Sequence, residues 1–348
     1  MSASLQNEGT VGSDSALATR PGQRELDSED ILRHIPPPDL PWRHPLAGPA
    51  AASKPAALDQ VNADSDFAVN SPRADAITTS LKSDDVDYRF EHGRRYHAFD
   101  EGAYWLPNDE HEADRLDRQN HIWRLTLGGA LHAAPVPSDA QNVLDVGTGS
   151  GIWAIEYADE HPAAQVVGTD LSAIQPERVP PNVSFVVYNA ESDWGFGRKK
   201  FDFIHARMLC LGVHSWERFI HQCHAHLKPG GWLELQEVQF PIKCDDNSVT
   251  AEDALMKWSV LVHEAAAKRG IDTLASDKFS QQMRDRGFAN VTEGYLKWPF
   301  ENLNRGLQGF SLALFTKVLG WSSEAFELFL VDVRKDMADR EKHYYWQM

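Results

Sequence analysis

The chain has 348 residues, room for one large domain or two small ones, and 42% apolar residues with 11 tryptophans can fill a substantial core. A formal net charge of −17 would repel a nucleic-acid backbone, so no nucleic-acid partner is expected. Cys210, Cys223 and Cys244 are too few and too scattered for a disulfide framework, and no apolar run approaches a secretory signal or the ~18 residues of a membrane span. The reading is therefore a soluble protein of the cytoplasm, or alternatively the nucleus, with no membrane partner.

Residues 1–85 are rich in Ser, Ala, Asp and Pro, keep no period, and read as a disordered tail dispensable for folding; residues 86–348 read as the folded domain. From Asp87 the composition turns aromatic, with Tyr88, Phe90, Tyr96, Phe99, Tyr104 and Trp105, and a helical pattern covers about 109–131. Strands are then predicted at 142–146, 165–169, 183–188, 201–206 and 231–238, with helices at 151–160 and 215–228. Buried Val/Ile/Leu strands alternating with helices imply an α/β fold, a mostly parallel sheet with helices on both faces. Helices at 250–269, 275–286 and about 322–342, and a strand near 290–298, complete the pattern.

The segment Val143-Leu144-Asp145-Val146-Gly147-Thr148-Gly149-Ser150-Gly151 runs a strand into a glycine turn and a helix. Glycine lets the backbone turn sharply and a ligand approach where a β-carbon would clash. Asp170 closes the next apolar run, where an acid can accept both hydroxyls of a ribose. The last glycine of a dinucleotide fingerprint would fall at position 152, which is isoleucine, and Asp145 suits an ammonium better than a pyrophosphate. The pattern resembles motif I of class I S-adenosylmethionine methyltransferases.

More specifically, Glu91-His92-Gly93-Arg94-Arg95-Tyr96-His97, Gly102 to Glu110, Asp114-Arg115-Leu116-Asp117, Gly151 to Glu156, Asp170 to Pro176 and Cys244-Asp245-Asp246 resemble the fungal LaeA-like methyltransferases of secondary metabolism, from about Tyr88 to His343. The resemblance implies a class I methyltransferase (Rossmann-like) fold with S-adenosylmethionine as cofactor. It implies that Gly147, Gly149 and Gly151 line its methionine and ribose, that Asp145 orients the turn and the ammonium, and that Asp170, with Leu171 beside it, holds the ribose. The adenine acceptor falls on Asn189, beside Ala190, or on Glu191, and Trp194 either packs over adenine or anchors the loop. Family members continue past the final helix into a last strand, whereas this chain stops at Tyr344-Tyr345-Trp346-Gln347-Met348, so the final strand is expected to be short or missing.

A general base is needed only if the acceptor must lose a proton. The catalytic residue is unassigned; His205, His214 and Glu237 are candidates, with Arg207, near the carboxyl ends of strands where ligands bind in open α/β sheets, and Tyr96 and His97 come from the entry segment that can fold over the cofactor. Tyr96 is expected to contact the cofactor from a lid formed by 88–110. His221, Cys223, His224 and His226 crowd one helix but point in several directions, so no metal site is expected. The leading function is methyl transfer to a small-molecule acceptor; the alternative is a LaeA-like nuclear regulator acting with velvet-type partners, and a third is a binding protein that retains the cofactor without turnover.

Overall fold

The computed structural model describes residues 2–5, 88–97, 104–298 and 303–348. Five parallel strands form its centre: β4 (Asn142–Val146), β5 (Gln165–Asp170), β6 (Val183–Val187), β7 (Phe201–Arg207) and β8 (Leu227–Gln236), in the order β6-β5-β4-β7-β8. The strand order reverses beside β4, which opens a crevice at the carboxyl ends of β4 and β7. Helices α1 (Glu110–Thr126), α2 (Ile152–Glu160) and α3 (Trp216–His226) flank the strands. Val143, Leu144, Phe203, Ile204 and Leu233 are wholly buried, as strands covered on both faces require. The class I methyltransferase architecture expected from the sequence is present.

Beyond β8 the chain forms α4 (Ala254–Lys268), α5 (Phe279–Arg286), β9 (Phe288–Thr292) and β10 (Lys297–Trp298), then α6 (Leu303–Ala313) and α7 (Ser323–Ala338). A core around Phe240, Trp258, Phe315 and Phe326 joins the helices of this half. Helix α6 was not predicted. Its glycines weaken a helical pattern, yet both are needed: a Cβ on Gly306 would lie 2.4 Å from Arg115 Cδ, and one on Gly309 2.8 Å from an Arg94 guanidinium nitrogen. The expected strand at 290–298 divides into β9 and β10.

The chain's end supplies β11 (Trp346–Gln347), which pairs with β10 in a separate two-stranded ladder, so the final strand is a stub outside the main sheet. The antiparallel position beyond β8 is taken by β1 (Ser2–Leu5), which lies between β8 and β9. Four residues of the segment read as a tail therefore belong to the central sheet; 6–87 lie outside the described residues. No described helix is long and apolar enough to cross a membrane.

Candidate active site

Strand β4 delivers Asp145 into the glycine turn, whose Gly147, Gly149 and Gly151 all have positive φ (70°, 58° and 83°), backbone that L side chains rarely adopt. Gly147 and Thr148 donate to the Thr169 carbonyl, tying the turn to β5. At the tip of β5, Asp170 accepts from Gly149 N (2.9 Å) through one carboxylate oxygen and from Ser172 N (2.9 Å) through the other. Burial pushes its carboxyl up from the usual range, against these two bonds. Ser150 donates to Asp117 (2.6 Å), which fastens the turn to α1.

Helix α1 starts at Asp109, which caps Glu112 N and is held by Arg94 at 2.5 and 2.9 Å from the hairpin of β2 (Tyr88–Glu91) and β3 (Arg94–His97). At helical spacing the helix presents Glu112, Arg115, Leu116 and Gln119 to the crevice. Arg115 is clamped on both oxygens of Glu112 and reaches Gln119 at 2.8 Å. Arg207, at the end of β7, donates to Asn120 at 2.7 Å, and burial pushes its guanidinium down to about 10, so it stays charged at neutral pH.

A cavity of about 120 Å³ lies against Tyr104, Gly147, Gly149, Asp170, Leu171, Asn189, Ala190, Glu191, Arg207, the Met208–Val213 loop and Phe310. A smaller one of about 50 Å³ lies against Asp145, Thr148, Ser150, Trp153 and His205. Of the residues expected to bind cofactor, Gly147, Gly149, Asp170, Leu171, Asn189 and Ala190 thus face the larger cavity and Asp145 the smaller. Gly151 faces neither: it sits at the start of α2, where a Cβ would lie 2.5 Å from the Phe185 ring.

Tyr96 lines neither cavity, contrary to the lid reading. At the end of β3, where Tyr96 and His97 are both buried, its side chain is 4% exposed, and Tyr104 lines the larger cavity instead. Glu191 spends its carboxylate on His214 N, Ser215 N and His214 Nδ1 (2.8, 3.1 and 2.7 Å), while Asn189 Oδ1 accepts from Glu191 N. Trp194 anchors the loop: it packs on Phe219 and Phe196, and its indole donates to the Ala190 carbonyl.

None of the three weak catalytic candidates lines the larger cavity. His205 is buried between Asp145 and the face of Trp153 (3.9 Å between ring centroids, 3° between planes). His214 is a partly exposed partner of Glu191. Glu237 accepts from Leu209 N (2.8 Å) and Cys210 N (3.0 Å), and burial pushes its carboxyl up to about 8; it shapes the cavity loop from behind. Sequence reasoning missed Tyr104, Glu112, Gln119 and the Met208–Val213 loop. The period of α1 was the available signal for Glu112 and Gln119; nothing local marked the loop. Among the described residues no group of three or more His, Cys, Asp or Glu is placed to hold a metal ion.

A family model described as a methyltransferase domain matches residues 89–293. The chain is 37% identical over 287 residues to Methyltransferase pytC of Aspergillus terreus, covering 77% of this chain and 88% of that one. It is 35% identical over 278 residues to Secondary metabolism regulator LAE1 of Cochliobolus heterostrophus (73% and 91% covered), and 32% identical over 287 residues to Protein-methionine methyltransferase laeA of Emericella nidulans (76% of each).

Proposed function

The chain belongs to the fungal LaeA-like methyltransferases, and on that premise we propose that it transfers a methyl group from S-adenosylmethionine to a small-molecule acceptor of secondary metabolism. The observation that carries this reading is the larger cavity. It joins the glycine turn and the half-buried Asp170 to an apolar stretch of wall formed by Tyr104, Leu106, Met208, Leu211 and Phe310.

The residues present fit the cofactor. Each Asp170 oxygen holds one backbone N–H and retains a lone pair for a ribose hydroxyl. Asn189 and Ala190, which line the cavity, would hold adenine, with Leu171 as an apolar wall, and Arg207 is a cation that would meet the methionine carboxylate. Leu209 and Leu116 rest on Gly147 and Gly149, and 120 Å³ is below the ~300 Å³ of a typical ligand pocket, so these two side chains rotate aside on binding. When bound, S-adenosylmethionine supplies a methyl group already activated for displacement.

What this chain adds is then orientation and exclusion of water. Among the described residues, the carboxylates in the wall are committed: Glu112 to Arg115, Glu191 to His214, Asp170 to the turn. No catalytic base is assigned, which suits an acceptor whose proton leaves to solvent or which has none to lose.

Two of these relatives, one named a regulator and the other a protein-methionine methyltransferase, favour a second reading. In it the substrate is a protein, and the chain acts in the nucleus with velvet-type partners rather than in the cytoplasm. Deletion of the gene with untargeted metabolite profiling separates the two. The first reading expects one pathway to stall at a product lacking a single methyl group. Broad loss of unrelated metabolites with matching transcript changes would support the second.

A further inference from the structure

Strand β1 occupies the middle of a gap in the sheet. On one side Ser2, Ala3 and Ser4 pair antiparallel with Glu234, Leu233 and Trp232 of β8; on the other, Ser2, Ser4 and Leu5 pair with Thr292, Ala289 and Phe288 of β9. Among the described residues β9 has no other ladder, so these four residues alone connect it by hydrogen bonds to the parallel core. Remove them and two strand edges face each other across a vacant strand position, each a template for an added strand. The sequence Ser-Ala-Ser-Leu is weak in β propensity, so the ladder here is a main-chain interaction that any correctly aligned copy of the segment can make.

Positions 6–87 separate this strand from the next described residue, Tyr88, a contour long enough to reach a neighbouring molecule at up to ~3.3–3.6 Å per residue. Docking in the same molecule and docking in a second one form identical ladders, and they differ only in the connection. We propose that the slot between β8 and β9 is a strand-binding site that exchanges Ser2–Leu5 between two copies of the chain. The exchange reaches the candidate active site: β8 leads from the paired Glu234 directly to Glu237, whose carboxylate holds Leu209 and Cys210. A net charge of −17 opposes the approach of two copies, so exchange rises with ionic strength.

The register supplies the test. Ser2 and Thr292 are Cα partners, and paired residues on antiparallel strands are spaced within the range a disulfide spans. Cys210 and Cys223 are buried, so a full-length Cys244→Ser background leaves no accessible native thiol among the described residues. Full-length Ser2→Cys protein is mixed with full-length Thr292→Cys protein and oxidised mildly at several protein and salt concentrations. The expected result is a disulfide-linked heterodimer whose yield grows with concentration and salt. It should fall several-fold when Ala3→Pro breaks the ladder of the donor chain, and likewise when the donor cysteine is moved out of register by Leu5→Cys. Single-chain Ser2→Cys/Thr292→Cys protein that closes internally, with no heterodimer in the mixture at any concentration, would overturn the proposal. Heterodimer insensitive to both Ala3→Pro and Leu5→Cys, which marks random collision, would equally overturn it.

Discussion

His205 Nδ1 lies 2.7 Å from Asp145 Oδ1, two buried side chains at paired positions of neighbouring parallel strands. Thr148 donates to the other Asp145 oxygen at 2.6 Å, so the protein itself engages both oxygens of the first acid of the glycine motif. Asp145 thereby fixes the turn's geometry, and His205 fixes Asp145. His205→Ala leaves a buried carboxylate oxygen without its partner and a void beside Trp153. It is expected to cost about 3 kcal/mol of stability and to weaken binding of S-adenosylhomocysteine. Denaturant midpoints together with calorimetric titration check this; a variant that unfolds and binds like the parent would show that the pair is incidental.

Gly147→Ala should abolish cofactor binding. Its Cβ would stand in the space that the Leu209 methyl, 2.3 Å away, leaves to the cofactor on rotating aside, and the residue's φ of 70° costs an L side chain ~1–2 kcal/mol. Gly149→Val meets Leu116 at 3.0 Å with φ 58° and should do the same. Circular dichroism retained with loss of S-adenosylhomocysteine heat is the expected pattern, and undiminished heat with either variant would argue against the turn as the cofactor cradle.

Burial raises the Glu237 carboxyl from 4.5 to about 8 in the folded chain. Between those values the folded protein holds a proton that the unfolded chain has released, so this residue's contribution to stability falls as pH rises from about 4.5 to about 8 and then levels. Glu237→Gln removes the titration and leaves an amide N–H₂ facing one of the two backbone donors. The variant should be less stable than the parent at pH 5, and the gap should narrow towards pH 8. Melting temperatures of both proteins across that range test it; parallel curves would contradict it.

Tyr96 and Tyr104 should separate cleanly. Tyr96→Ala opens a hole beneath the hairpin and should cost ~3–5 kcal/mol, with activity lost through unfolding. Tyr104→Ala, in the cavity wall, should reduce turnover while the fold persists. Equal melting temperatures for the parent and Tyr96→Ala would return Tyr96 to the lid role expected from the sequence.

The parallel core was legible because each strand is an apolar run of its own, such as Val143–Val146 and Val166–Val167, bounded by turn residues. The placing of Asp145, Gly147, Gly149 and Asp170 side by side was legible because they belong to one strand–turn–helix–strand unit, whose two parallel strands are neighbours. Contacts made at long range were not. Nothing in Ser2–Leu5 signals a strand, since its conformation is set by the open edges of β8 and β9. Tyr96 and Tyr104 are both aromatics of one segment, and only the packing of the hairpin and of the chain after it decides which reaches the cavity. Leu209 lies over Gly147 because Glu237, from another strand, holds its amide.

The most direct test of the account is methyl transfer itself. Purified full-length protein is incubated with methyl-labelled S-adenosylmethionine and a whole extract of a strain lacking the gene, and low-mass and protein fractions are analysed separately. The expected result is label in a low-mass compound, and its loss with Asp170→Ala. Label confined to protein, or low-mass label unchanged by Asp170→Ala, would contradict it.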